Sequence, residues 1–200
     1  MREGLHALLA ASTGISIVGE VGNGRDAVRR TDELKPDVLV MDISMPGLNG
    51  IEAASLIRAK CPQTKIVMLS MHSSTEHVYR AFQAGASGYV LKESAGTEVI
   101  AAVRAVHAGQ RYLSPALHDV SEATMSGTGR ASPLESLSAR ERQVLQLVVE
   151  GKSSAEIARI VHLSPKSVET YRSRLMKKLG IADVPSLVKF AIQHGVTPPG

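Results

Sequence analysis

A chain of 200 residues, of which 44% are hydrophobic, can form one or two domains with buried cores. Its single cysteine, Cys61, excludes an intramolecular disulfide, and no apolar run approaches the roughly 20 residues that span a bilayer. Residues 1–132 hold 13 Lys/Arg and 13 Asp/Glu, whereas residues 133–200 hold 10 and 6, so the whole net charge of +4 lies in the last third. We therefore expect a cytoplasmic protein without a membrane segment, in which a nucleic-acid-binding domain follows a neutral domain.

The first half of the chain alternates helical patterns with short apolar strands. An amphipathic helix near the N-terminus is followed by predicted strands at 15–20, 38–42, 65–70 and 88–92 and predicted helices at 24–34, 49–60, 75–84 and 95–107. Strands that are apolar along their whole length are typical of a parallel sheet with helices on both faces. We predict an α/β domain over residues 1–109.

Three of these strands end in a polar residue. Asp42, Ser70 and Lys92 each close an apolar run, and ligands of open α/β sheets bind beyond the carboxyl ends of the strands. Any one of them could simply face water. A carboxylate, a hydroxyl and an ammonium that converge could instead support attack by Asp42 on a phosphoryl group, with Lys92 and Ser70 binding its oxygens.

The segments around these residues resemble a known family. The run VLVMDISMPGLNGIE, Ser70 after KIVML, and GYVLK are similar in order and spacing to the receiver domain of two-component response regulators, which has a flavodoxin-like fold. The resemblance implies that a sensor histidine kinase phosphorylates Asp42. It also implies that Ser70 is the switch hydroxyl, Tyr89 the switch aromatic and Lys92 the phosphate-pairing lysine. Mg²⁺ would be bound by Asp42 and the backbone carbonyl of Ser44.

The chain departs from the receiver pattern at its N-terminus. Receivers begin with a strand that ends in a pair of Mg²⁺-binding acids and lies at the centre of the sheet, whereas residues 1–5 look like the interior of the first helix. We expect the strands at 15–20 and 38–42 to lose their common neighbour and Asp42 to lose most of its metal site. We favour a misplaced start over a natural deletion; a deletion would indicate a regulator that works without phosphorylation.

A segment at 110–135, rich in Ser, Gly, Thr and Pro in its later part, is predicted to be a linker, and a helical domain follows at 136–200. Ser138 with Glu141, and Ser153 with Glu156, have the spacing of capping boxes that open two helices. A short turn then leads into a basic helix at 164–180, and a last helix occupies 184–194. This order describes a helix-turn-helix within a four-helix domain.

The basic helix carries five Lys/Arg and one acid between residues 166 and 178. Its apolar stripe would be buried, and a second face combines cations with short hydrogen-bonding side chains, which suits a DNA major groove. A solvated surface helix is the alternative for this segment taken alone. The neighbouring helices favour DNA binding.

The block from LSARERQ to MKKLGI resembles the LuxR-type helix-turn-helix of NarL/FixJ-type response regulators. By this resemblance, three residues read bases: Glu169, Thr170 and Ser173. Five further residues would bind phosphates: Lys166, Arg172, Arg174, Lys177 and Lys178. Glu169 could accept a hydrogen bond from a cytosine amine. The helix at 184–194 is either the homodimer surface or simple core packing.

The leading hypothesis is a transcription factor that phosphorylation switches and that binds double-stranded DNA as a homodimer. The alternative is a DNA-binding or interaction protein whose degenerate receiver only scaffolds contacts. An enzyme with an aspartyl-phosphate intermediate is rejected, because such phosphatases usually carry a second acid where this chain has Ser44.

Overall fold

The computed structural model describes residues 1–117 and 132–197. Contacts between residues divide the chain into two compact units, Met1–Ile43 with Gly50–Gly129 and Ser44–Asn49 with Arg130–Gly200. Most of the predicted linker at 110–135 lies outside the described residues.

Among the described residues, four parallel strands form a single sheet in the first unit. They are β1 (Val38–Asp42), β2 (Lys65–Ser70), β3 (Gly88–Leu91) and β4 (Tyr112–Leu113), in that spatial order. The short strand β4 was not predicted. Its Tyr112 N–H donates to the Ser87 carbonyl over 3.1 Å, so the sheet continues past residue 109, where the sequence placed the start of the linker.

The predicted strand at 15–20 is wrong: this segment forms no strand in the structure. A strand persists only where its backbone groups find partners in a neighbour. No strand of the described residues pairs with this segment. Strand β1 likewise lies at the edge of the sheet, paired with β2 alone among the described strands.

Helices form at the predicted places. They are α1 (Arg2–Ala10), α2 (Gly24–Leu34), α3 (Gly50–Lys60), α4 (Thr75–Gln83) and α5 (Ala95–His107). The Asn23 side chain caps α2 by accepting a hydrogen bond from the Asp26 N–H. Helix α5 packs Ala102 and Val106 against Val67 and Val90 of the strands, which builds a core under the sheet's central part.

The second unit is helical. A 3₁₀ turn (Pro133–Ser136) precedes α6 (Ala139–Val149), α7 (Ser154–Val161), α8 (Pro165–Leu179) and α9 (Val184–Gln193). Both predicted capping boxes are present: Ser138 with Glu141 opens α6, and Ser153 with Glu156 opens α7.

The turn between α7 and α8 sets the direction of the basic helix. His162 adopts the left-handed conformation at φ 54° and ends α7, and the Ser164 hydroxyl then accepts the Ser167 N–H to start α8. Val168 and Leu175 are fully buried in the core of the unit. The opposite side of α8 is therefore left to solvent. No helix in residues 1–117 or 132–197 combines the length and apolar character that crossing a membrane requires.

Candidate functional site

The three polar strand ends meet in the first unit as the sequence predicted. The Lys92 Nζ donates to Asp42 Oδ2 over 2.6 Å, and the Lys92 N–H donates to the Ser70 carbonyl over 2.8 Å. The Lys92 side chain is 14% exposed and the Asp42 side chain 30% exposed, so the ion pair is partly screened from water yet open to a small ligand. Because the three strands are parallel and lie in the order β1-β2-β3, their carboxyl ends bring the Asp42 carboxylate and the Lys92 ammonium together.

Gly50 allows the start of α3 to lie directly against this site. A Cβ at Gly50 would stand 2.2 Å from the Asp42 carbonyl oxygen and 2.8 Å from the Ile43 Cα, closer than any side chain tolerates. The Gly50 N–H donates to the Ile43 carbonyl over 2.8 Å, which holds the helix start in place. Only glycine fits this close approach.

We expect Gly50→Ala to lower the free energy of unfolding of the first unit by roughly 2 kcal/mol, because the added methyl group forces backbone apart. Urea unfolding followed by tyrosine fluorescence measures this, since Tyr79, Tyr89 and Tyr112 lie in the first unit and the chain has four tyrosines. Gly96→Ala is the control, because a Cβ there meets nothing within 4 Å. Equal stability of both variants would contradict the close approach.

His72 links the two predicted switch residues, Ser70 and Tyr89. The Ser70 hydroxyl accepts the His72 N–H over 3.0 Å, and the Tyr89 hydroxyl donates to the His72 carbonyl over 2.7 Å. Tyr89 is fully buried, and this burial raises the pKa of its hydroxyl, although a hydrogen bond with Ser70 opposes the shift. A change at Ser70 can therefore reach Tyr89 through the backbone of one residue.

Sequence reasoning missed this role of His72. The rings of His72 and His77 stack at 4.2 Å between centroids, because His72 lies in the loop ahead of α4 and His77 within it. The spacing of His72, two residues beyond a strand-end serine, was the available signal.

The residues present do not complete the magnesium site of the receiver pattern. Among the described residues, no group of three or more His, Cys, Asp and Glu side chains could hold a metal ion. Glu20 pairs with Arg2 and His6 beside α1. Mg²⁺ binding by Asp42 and Ser44 stays a prediction. Of these two predicted ligands, only Asp42 supplies a carboxylate.

The predicted DNA-binding residues all lie on α8, but their surroundings differ. Seven are exposed: Lys166, Glu169, Thr170, Ser173, Arg174, Lys177 and Lys178. Arg172 is half-buried and donates to the Ser154 hydroxyl over 2.9 Å. These exposed residues lie on one side of α8 and combine cations with short polar groups. Such a combination suits a DNA major groove.

Lys178 has an intramolecular role that the sequence did not indicate. Its ammonium donates to Glu141 over 2.7 Å and to the Ser136 carbonyl over 3.1 Å. Burial of Glu141 would raise the pKa of its carboxyl, but hydrogen bonds from Lys178 and Ser138 outweigh burial and lower it. Lys178 thus joins the end of α8 to the start of α6, and its predicted phosphate contact is untested.

We expect Lys178→Met to lower the free energy of unfolding of the second unit by about 1–3 kcal/mol, since a nearly buried carboxylate loses its cation. Because the pKa of Glu141 is lowered in the folded protein, its carboxylate contributes stability that is fully present above the ordinary pKa of 4.5. This stability is lost as the pH falls through the pKa of the folded state. The variant should therefore lose less stability on acidification than the parent. Urea unfolding by circular dichroism across that pH range measures both, and parallel curves would contradict this role.

The predicted dimer helix α9 contributes to the core. Leu187 and Ala191 are buried in the core of the unit, where α9 packs on α6, so this face of α9 is core packing. Val184, which precedes Leu187 by one turn on the same face, is 38% exposed at the start of α9. The homodimer surface stays a prediction.

Two protein-family models match the chain. The family described as response regulator receiver domain matches residues 1–104, and the family described as bacterial regulatory proteins of the luxR family matches residues 135–191. The chain belongs to the response regulators. This response regulator is of the NarL/FixJ type, a DNA-binding transcription regulator, which confirms the predicted fold classes and function class.

Relatives support the same assignment along almost the whole chain. The response regulator is 38% identical over 197 residues to UvrY of Escherichia coli K12, covering 98% of this chain and 90% of UvrY. It is 36% identical to GacA of Pseudomonas aeruginosa, and the match covers 98% of this chain and 92% of GacA. Among solved structures it is similar to RcsB of Salmonella enterica serovar Typhimurium bound to promoter P1flhDC with the phosphomimetic BeF3−, with a TM-score of 0.58, 26% identity and coverages of 98% and 93%.

Proposed function

We propose that this response regulator accepts a phosphoryl group on Asp42 from a sensor histidine kinase and that phosphorylation controls binding of α8 to double-stranded DNA. The observation that carries the proposal is the 2.6 Å pair between Lys92 Nζ and Asp42 Oδ2, with Ser70 at the end of the neighbouring strand. Carboxylate, ammonium and hydroxyl are the groups that acceptance of a phosphoryl group needs.

In the proposed reaction a carboxylate oxygen of Asp42 forms a bond to phosphorus while the bond from phosphorus to the donor breaks. The donor is the kinase's phosphohistidine, whose imidazole leaves. Lys92 then pairs with the phosphoryl oxygens in place of the free carboxylate, and the Ser70 hydroxyl donates to one of them. Receiver domains typically use Mg²⁺ for this step; here Asp42 and Ser44 would supply its protein ligands.

The signal would leave the site through Ser70. Its hydroxyl accepts the His72 N–H in this structure, and turning toward a phosphoryl group removes that contact. Tyr89 holds the carbonyl of the same residue, so the loop between β2 and α4 and the side chain of Tyr89 change together. We propose that α4 and α5 are the surface that responds.

On DNA, we propose that α8 enters the major groove and that two copies bind two half-sites, as dimeric helix-turn-helix proteins do. The exposed cations of α8 would bind phosphates, and the shorter polar side chains would contact base edges. Since bacterial promoters lie in the cytoplasm, this is the proposed place of action.

Incubation of the 200-residue chain with acetyl phosphate and Mg²⁺, followed by intact-mass analysis, tests the acceptor. The proposal expects one labile phosphoryl adduct that Asp42→Asn abolishes. A protein without an adduct that still binds DNA would support the second candidate, a regulator that works without phosphorylation. Within residues 1–117 and 132–197, Asp42 joins no group of three or more His, Cys, Asp and Glu side chains that could hold a metal ion, which favours that candidate.

A further inference from the structure

Ser154, the first residue of α7, lies between two side chains of α8. Its hydroxyl donates to Glu169 Oε1 and accepts from Arg172 Nη1 over 2.9 Å. Arg172 Nη1 also lies 3.5 Å from the same Glu169 oxygen. The Ser154 hydroxyl therefore donates its proton to the Glu169 carboxylate and accepts a hydrogen bond from the Arg172 guanidinium. In this way it joins both side chains of α8 to α7.

These contacts restrain Glu169 without covering it. The Glu169 side chain is 60% exposed, and every contact described for its carboxylate is made by Oε1. The second oxygen, Oε2, is thus available as an acceptor on the face that also carries Lys166 and Thr170. In a major groove, such an acceptor pairs with the exocyclic amine of cytosine.

A free glutamate on this face would be a poor reader of bases. Its flexible side chain loses rotamer freedom on contact, and its charge is repelled by DNA phosphates. The contacts with Ser154 and Arg172 address both problems. Ser154 fixes the Glu169 side chain before DNA arrives, and Arg172 places a positive charge beside it. We propose that Ser154 is a positioning residue that determines sequence specificity, by holding Glu169 to read a cytosine amine.

The hydroxyl is not needed to pack α7 on α8. Ile157 and Val161 of α7 and Val168 of α8 are buried in the core of the unit and hold the two helices together. Removing the Ser154 hydroxyl therefore leaves the apolar contact intact. A purely structural role predicts lower stability with unchanged sequence preference, whereas the proposal predicts the opposite.

The inference rests on the proposed function that α8 reads DNA. Selection from random duplexes with the native chain gives its preferred site, and Glu169→Ala identifies the base pair whose preference depends on Glu169. At that pair, Ser154→Ala should lower the preference for cytosine on the order of tenfold, the effect of a weakened base contact. Binding to non-specific duplex and its salt dependence should stay unchanged.

Two controls isolate the positioning role. Ser154→Thr keeps the hydroxyl and should retain the preference. Ser186→Ala removes a serine hydroxyl that likewise donates to an acid, Asp183, but on α9, and should also retain it. In the double variant Ser154→Ala with Glu169→Ala, the loss should equal that of Glu169→Ala alone.

A preference that survives Ser154→Ala, or losses that add in the double variant, would overturn the proposal. An unchanged preference in Glu169→Ala, in a protein whose binding still responds to Lys177→Ala, would also overturn it while leaving DNA reading by α8 in place. If no change on α8 alters binding, the proposed function itself fails, which is a different result.

Discussion

Replacing Lys92 with alanine should slow phosphorylation of Asp42 by acetyl phosphate on the order of 100-fold, the usual effect of removing one group that stabilises developing charge. The lysine ammonium lies 2.6 Å from the acceptor carboxylate and is 14% exposed, so solvent replaces it poorly. The rate of adduct formation by intact mass measures this effect.

Lys60→Ala is the matched control, because this exposed lysine ends α3 in the same unit and makes no part of the proposed site. Its phosphorylation rate should equal that of the parent. If Lys92→Ala were phosphorylated at the parental rate, the ion pair with Asp42 would be structural only. The proposed role of Lys92 would then be wrong.

Removing two exposed cations of α8 should lower the affinity for DNA. The double variant Arg174→Ala with Lys177→Ala should bind duplex DNA about 30-fold more weakly near physiological salt, because two phosphate contacts are lost. The slope of log affinity against log salt should fall by about 2. Both side chains are exposed on α8, so folding should be unaffected.

Fluorescence anisotropy with labelled duplexes at several salt concentrations measures affinity and slope together. Arg140→Ala is the control, since this exposed arginine lies at the start of α6, where it donates to Gln143. Thr170→Ala should differ from both by changing sequence preference more than overall affinity. An unaltered slope in the double variant would show that α8 does not meet phosphates.

The convergence of Asp42, Ser70 and Lys92 was predictable because it follows from strand ends alone. Parallel strands carry their carboxyl ends to one edge, so three polar residues closing apolar runs must lie close together. The capping boxes were predictable for a similar reason, since each depends on residues three apart in the chain.

What sequence reasoning missed depends on partners distant in the chain. The segment at 15–20 has a strand's composition, but no neighbour pairs with it in the described structure. Lys178 and Arg172 look like phosphate ligands by position, yet Glu141 and Ser154 engage them from other helices. No local pattern distinguishes an exposed cation from one that a preceding helix holds.

We propose that phosphorylation of Asp42 changes the affinity of the chain for DNA. The most direct measurement is the affinity of the chain for its selected duplex before and after acetyl phosphate with Mg²⁺, beside Asp42→Asn treated identically. We expect one phosphoryl adduct and a changed affinity in the native chain, and neither in the variant. Equal affinity in phosphorylated and unphosphorylated protein would contradict it.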